Sequence, residues 1–210
     1  DRYNTKKSFT IISKQDGSII KEIKIPFKEK LYLRQKNDTY SVNPGPYRTL
    51  IPYNGNWILL ELSSDTIYTL LPDYNLRPFF VRIPSIQSMN PEVFLILRLF
   101  SDRYIFMETI KNVYDFDTET GFPKTFLMYD TQEKAFLGYK VYNGDYSFKK
   151  EMYMVTTTPV NHEIESWYPL EAHQLVKSYE RGELKGKLKE IAATLDEESN
   201  PVIMLIKHKK

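Results

Sequence analysis

The chain has 210 residues, with 29 Lys+Arg against 27 Asp+Glu, 3 His, no Cys, and 16 Tyr, 12 Phe and 2 Trp against only 8 Gly. A hydrophobic content of 41% with a net charge of +2 excludes a disordered, collagen-like or strongly supercharged chain, and the length suffices for one large domain or two small ones. The absence of cysteine removes disulfides, thiolate nucleophiles and Cys-based zinc sites, without fixing the compartment. The longest apolar run, 93–97, falls far short of the roughly 18 residues a membrane-spanning helix needs, so no transmembrane segment is expected. Near-balanced charge gives no long-range attraction to nucleic acid. The first residue is Asp1, with no basic-then-apolar leader after it, so a processed product or an excised piece of a longer chain is expected.

Strand signals dominate from residue 7 to about residue 157. Residues 9–13 lead into Asp16-Gly17, a pair suited to a tight hairpin, and then into a segment with Ile23, Ile25 and Phe27 on one face and Glu22 and Lys24 on the other. Residues 48–51 turn at Asn54-Gly55 into 57–62, and 67–71 turn at Pro72-Asp73-Tyr74-Asn75 into 79–83. Residues 93–100 turn at Ser101-Asp102-Arg103 into 104–110, and 126–130 turn into 136–142. The apolar runs 57–60 and 93–97 fit strands buried on both faces. Pro169 is expected to open a helix with Ala172, Leu175, Val176 and Tyr179 on one side, since a first helical turn tolerates proline. Gly182 breaks it, and a second helix follows with Leu184, Leu188, Ile191 and Leu195 at helical spacing. Residues 202–206 form a last apolar strand.

Three of these hairpins recur at a fixed period. They occupy 9–26, 67–84 and 126–143, with starts and ends spaced by 58 and 59 residues. Strand pairs lie between them, so the unit reads as a four-stranded antiparallel meander, the signature of a propeller blade. A sandwich or barrel explains the alternation but not the period. The expected architecture is therefore all-β and propeller-type, with blades over 1–160, a helical appendage over 161–200 and a final propeller strand over 201–210. The length divides into about 3.6 such units, fewer than a comfortable ring of roughly 4–8 blades. An incomplete ring is expected, completed by a missing first half or by a second copy in a homodimer.

Residues 183–191 and 196–206 resemble the C-terminal signature of a family of exported six-bladed β-propeller proteins (NHL/TolB-like) of unknown function, abundant in Gram-negative gut bacteria. Ser64-Asp65-Thr66-Ile67-Tyr68 is similar to the strand-opening motif of that family, and Asn37-Asp38-Thr39-Tyr40 resembles a degenerate copy of it. The resemblance implies an extracytoplasmic location in the periplasm or on the outer-membrane surface. It also implies a chain corresponding to the C-terminal half of a longer family member, which would carry a secretion or lipoprotein signal.

Motifs for chemistry are sparse. The histidines, His162, His173 and His208, show no paired metal-ligand spacing, and no nucleophile elbow, P-loop or dinucleotide fingerprint occurs. No catalytic residue, metal or cofactor is assigned. His162, Glu163 and Glu165 form a compact cluster whose ordinary reading is a solvated loop. Asp115, Asp117 and Glu119 in the loop 114–121 suit carboxylate chemistry or calcium coordination, although the EF-hand pattern is not met. Most aromatics are expected in packing between sheets. Those read as loop residues, Tyr47, Tyr53, Trp167 and Tyr168, together with His162, are the expected ligand-binding residues, since loop aromatics can stack on sugars or grip a peptide. For Trp167 and Tyr168 a hydrophobic staple before the helix competes. The expected function is non-catalytic recognition or scaffolding of a glycan, peptide or partner protein. The alternative is a polysaccharide hydrolase or lyase, which requires two or more of Asp115, Asp117, His162, Glu163 and Glu165 to converge in one cleft.

Overall fold

A computed structural model describes residues 8–161 and 165–208. The protein is all-β with a small helical segment, and its strands form open antiparallel sheets of two to four strands. β1 (Phe9–Ile12) pairs with β2 (Ile19–Ile23), and β3 (Gln35–Lys36) with β4 (Ser41–Val42). A four-stranded meander follows: β5 (Leu50–Tyr53), β6 (Asn56–Leu59), β7 (Thr66–Leu70) and β8 (Leu76–Val81), each bonded to the next. A second is built from β9 (Val93–Phe100), β10 (Tyr104–Lys111), β13 (Lys124–Asp130) and β14 (Ala135–Gly138), in that spatial order. The short hairpin β11 (Tyr114–Asp115) and β12 (Thr120–Gly121) is inserted between its second and third strands. β15 (Val141–Asn143) pairs with β16 (Lys150–Met152). β17 (Thr158–Asn161), β18 (Glu165–Leu170) and β19 (Val202–Lys207) form a three-stranded sheet. Between its last two strands lie helices α1 (Ala172–Glu180) and α2 (Gly186–Ala192). Among the described residues no helix is long and apolar enough to cross a membrane.

The turns follow from their residues. β5 and β6 are joined by Asn54 at φ 47° and Gly55 at φ 70°, the paired left-handed conformations whose twist matches that of a two-residue hairpin. Between β7 and β8, Asp73 accepts from the backbone and side-chain N–H groups of Asn75, closing the turn that Tyr74 crosses at φ 63°. Between β13 and β14, Asp130 Oδ1 accepts from the backbone N–H groups of Gln132 and Glu133. The same carboxylate receives the Arg103 fork, Nε at 3.1 and 3.0 Å and Nη2 at 2.8 Å. Asp130 is 3% exposed, so this pairing supplies the partners that a desolvated carboxylate requires.

The chain divides into two compact units, one of Asp1–Leu97 with Glu108–Thr125, the other of Arg98–Met107 with Phe126–Lys210. In the first, Ile23, Ile25, Leu59 and Leu70 form a core cluster, covered by Phe9, Ile11, Tyr68 and Leu76. In the second, Leu99, Phe106 and Met154 form one cluster, while Leu175, Leu184, Leu188 and Ala192 gather around Tyr146 in another. Of the stripe expected from the spacing, Leu184 and Leu188 are buried here and Leu195 packs against them, while Ala192 takes the place expected of Ile191. The interior residues of β9 behave as expected for a strand covered on both sides, since Phe94, Ile96, Leu97 and Leu99 are all buried. Trp57 departs from that expectation. Ile58, Leu59 and Leu60 are buried, but Trp57 lies one residue past the hairpin turn and remains 45% exposed.

Pro169 also departs from expectation. It lies in β18 opposite Ile203 rather than in a helix, and α1 begins only after Glu171. β17 pairs no further than Trp167, so at Pro169 β18 has a single neighbour, the edge-like setting in which a ladder tolerates proline. The helix ends as the sequence predicts. Gly182 sits at φ 68° and donates to Tyr179 O, while Glu183 N–H reaches back to Ser178 O, a Schellman closure.

Gly182→Ala is therefore expected to cost about 1 kcal/mol in urea unfolding, from backbone conformation alone, because nothing lies within 4 Å of its added Cβ. Gly182→Asn should cost less. A second expectation concerns pH. The Arg103 guanidinium first, then backbone N–H groups, hold Asp130 below the usual carboxylate range against the opposing effect of burial. A lowered folded-state pKa means that the pairing contributes fully above the unfolded value, about 3.9, and is lost as pH falls through the folded one. Urea midpoints between about pH 5 and about pH 2 should fall less steeply in Asp130→Asn than in the parent. Parallel curves would show that Asp130 carries none of the acid sensitivity.

Candidate functional site

A concave feature lies beside β11–β12, in the first unit. It is an open cavity of about 440 Å³ lined by Val113, Tyr114, Asp115, Thr120, Gly121 and Pro123. Its hairpin is inserted at Asn112, which is 6% exposed. Asn112 N–H donates to Glu92 O at 2.8 Å, its Nδ2 donates to Tyr32 O and Glu92 Oε2, and its carbonyl accepts from Gln35 Nε2 at 2.7 Å. One buried amide thus anchors the cavity hairpin and the segment leading into β3–β4 to the same point.

The tip of β3–β4 is shaped by Asn37, whose Oδ1 accepts from the backbone N–H groups of Thr39 and Tyr40, both at 2.9 Å. This turn presents Tyr40, whose ring meets Phe116 edge-on at 5.5 Å and 73°. Phe116 in turn meets Tyr114 edge-on at 5.0 Å and 71°, and Tyr114 lies 5.6 Å from Phe122. Edge-to-face contacts of this kind are favourable because the positive rim of one ring meets the negative face of the next. Tyr40 remains 43% exposed, so the cluster reaches solvent.

The hairpin is tightly made. Asp115 Oδ1 accepts from Asp117 N–H at 2.9 Å and Thr118 N–H at 3.2 Å. These bonds, that from Thr118 first, hold the Asp115 carboxyl below its ordinary value and keep it ionised. Burial first, then Tyr40, Glu119 and Asp115, push the Tyr114 phenol up. Glu119 at φ 53° and Phe122 at φ 51° take left-handed conformations that side chains adopt at a cost. Gly121 has a different constraint. A Cβ there would lie 2.6 Å from the Tyr114 Cα, from its ring Cδ2 and from Val113 O, so the facing backbone and the Tyr114 ring together occupy the space that a side chain would need.

The residues singled out in the sequence are dispersed. Tyr47 lies in the irregular segment between β4 and β5, where burial first and then Glu61 raise its phenol pKa. Tyr53 ends β5 and packs edge-on against Phe79 at 5.9 Å, as a strand residue. Trp167 and Tyr168 are also strand residues, in β18 opposite Leu205 and Met204. Their reading as loop aromatics is corrected, because β19 recruits their segment into a sheet. His162 and Glu163 fall outside the described residues. Glu165 stands in β18 opposite Lys207. Among the described residues no three His, Asp or Glu side chains gather as a metal site. Of the carboxylates named from the sequence, Asp115 alone lines the cavity among the described residues. Sequence reasoning noticed the acids of this hairpin but missed Tyr40, Tyr114, Phe116, Gly121 and Asn112. The available signal was the stretch 112–123, which interleaves three acids with three aromatics and carries no Lys or Arg.

No protein-family model matches the sequence, and no curated protein matches it. The fold is similar to the crystal structure of a protein from Bacteroides fragilis assigned as exported, with a TM-score of 0.50 and 14% identity over 97% of this chain and 77% of that one. At that identity the likeness concerns the fold.

The fit of Tyr114 over Gly121 has a direct consequence. Gly121→Ala should destabilise the protein by about 1–3 kcal/mol, the range for forced overpacking, and displace the Tyr114 ring. Urea unfolding and the ring proton shifts of Tyr114 would report the two effects. An unchanged ring environment would mean that the contact relaxes without disturbing the cavity.

Proposed function

We propose that this chain is a non-catalytic extracytoplasmic recognition or scaffold module that holds a glycan, peptide or partner protein against the face formed by the β3–β4 and β11–β12 hairpins. The observation that carries the reading is the solvent-reaching cluster Tyr40–Phe116–Tyr114 beside an open cavity with one ionised carboxylate. Aromatic surfaces of this kind supply large, rigid contact area at little cost in side-chain entropy. The extracytoplasmic part rests on the exported assignment of the Bacteroides fragilis protein with a similar fold. The two successive four-stranded meanders support a propeller-type arrangement, in which further blades or a second copy complete the ring.

The hydrolase or lyase alternative has less behind it. Asp115 is committed to two backbone N–H groups, and its lowered pKa suits a fixed charge rather than a proton donor. Asp117 and Glu119 are exposed and do not line the cavity.

Immobilised protein screened against a glycan array and a peptide library should retain one ligand class. Tyr114→Ala should weaken that retention about tenfold or more, equivalent to ~1.4 kcal/mol. Polysaccharide cleavage by the parent chain without retention of any ligand would overturn the reading.

A further inference from the structure

Among the described residues the sheets of three and four strands end in six edges, and five of them carry features that keep an open edge from pairing further. β5 holds Pro52, β8 holds Pro78 with a register shift beside it, and β17 holds Pro159. β9 carries Arg98, and β14 is four residues long and ends in Gly138. β19 has none of these. Val202-Ile203-Met204-Leu205-Ile206 contains no proline, glycine or charge, and the pairing of β19 with β18 runs without a shift. β19 closes the order β17-β18-β19, so no described strand lies beyond it. One of its faces is packed, with Val202 and Ile206 against core clusters. The other leaves Ile203 53% and Leu205 60% exposed, beside their half-buried cross-strand neighbours Pro169 and Trp167. A straight apolar edge of this kind is a template for another strand.

The flanks of β19 indicate whose strand that is. Asp196-Glu197-Glu198 lies shortly before it, and Lys207 ends it, with Lys209 and Lys210 following in the sequence. The segment therefore runs acidic, apolar, basic. A parallel neighbour of the same sequence would set like charges side by side, whereas an antiparallel one brings opposite charges together. We propose that β19 is an interface between two copies of this chain, paired antiparallel about a twofold axis at Met204. That register sets Val202 opposite the second copy's Ile206 and Ile203 opposite its Leu205, so every residue of 202–206 meets an apolar one. It brings Lys207 level with the second copy's Pro201, at the margin of its acidic turn. Each contact occurs twice, as an isologous interface requires. The two three-stranded sheets join into one, and the exposed Ile203 and Leu205 gain apolar cross-strand partners. The inference goes beyond the recognition reading and depends neither on it nor on ring closure, since that reading concerns β3–β4 and β11–β12.

Sedimentation equilibrium of the full chain should show the mass rising from 24.9 kDa toward twice that value between about 1 μM and about 500 μM, the range suited to a small interface. Added salt should weaken the association. Leu205→Lys, at an exposed position, should weaken it about tenfold or more, with the dispersion of the remaining amide spectrum confirming that the variant folds. The absence of native cysteine permits a test of register. Ile203→Cys and Leu205→Cys variants, mixed and oxidised, should give a cross-linked dimer with one of each, because residues directly opposite one another approach within disulfide reach. Each variant alone should cross-link much less. A chain that stays monomeric throughout overturns the inference, as does a dimer whose affinity Leu205→Lys leaves unchanged. Cross-linking of either variant alone as readily as the mixture overturns the axis at Met204. None of these outcomes bears on the recognition reading, which the glycan and peptide screen tests.

Discussion

The candidate site depends on one buried amide. Asn112 has left the β10 strand and is closed off from water, so its backbone and side chain must find partners inside the protein. The backbone groups and the side-chain Nδ2 find Glu92, Tyr32 and Gln35, residues from two other stretches of the chain, while the buried Oδ1 has no hydrogen-bond partner among the described residues. That requirement pins the root of β11–β12 next to the root of β3–β4. Neither two-residue ladder would be stable alone, since an isolated hairpin is marginal in water. Fixed at a common base, the two can place Tyr40 against Phe116 without a large ordering cost.

The same logic of obligatory partners governs the buried charges. Glu61 receives Lys30 Nζ at 2.7 Å on both oxygens and Ser63 N–H at 3.1 Å. Asp130 receives the Arg103 fork and two backbone N–H groups. A buried ion pair is weak evidence of net stabilisation, but removing one member strands the other. These pairs therefore act as constraints on geometry at the ends of strands. The carboxylates of the β11–β12 hairpin, Asp115, Asp117 and Glu119, are exposed instead, so they persist without an ion-pair partner.

Legibility in the sequence followed the range of the interaction. The β5–β6 turn was readable because Asn54-Gly55 can adopt conformations that most residues avoid. Leu184, Leu188 and Leu195 of the expected helical stripe were readable from their spacing, as was the stop at Gly182, whereas Ala192 rather than Ile191 completes the buried face. Pro169 was not, because the local rule that allows proline to start a helix competes with a strand partner that arrives only at Ile203. Trp167 and Tyr168 were misplaced in loops for the same reason. In the candidate site, the acids of 115–119 were noticed as a motif, while the ring contacts that give them a setting join residues distant in the chain.

What the sequence determined by itself was the class of the protein. Alternating apolar residues, punctuating turns and one amphipathic stripe suffice for an all-β chain with a short helical segment, because each is a property of neighbouring residues. The tertiary structure alone decided which of many aromatics meet, which strand a proline joins, and which buried charges find each other. Those outcomes depend on distant segments competing for the same partners, and no local pattern encodes who wins.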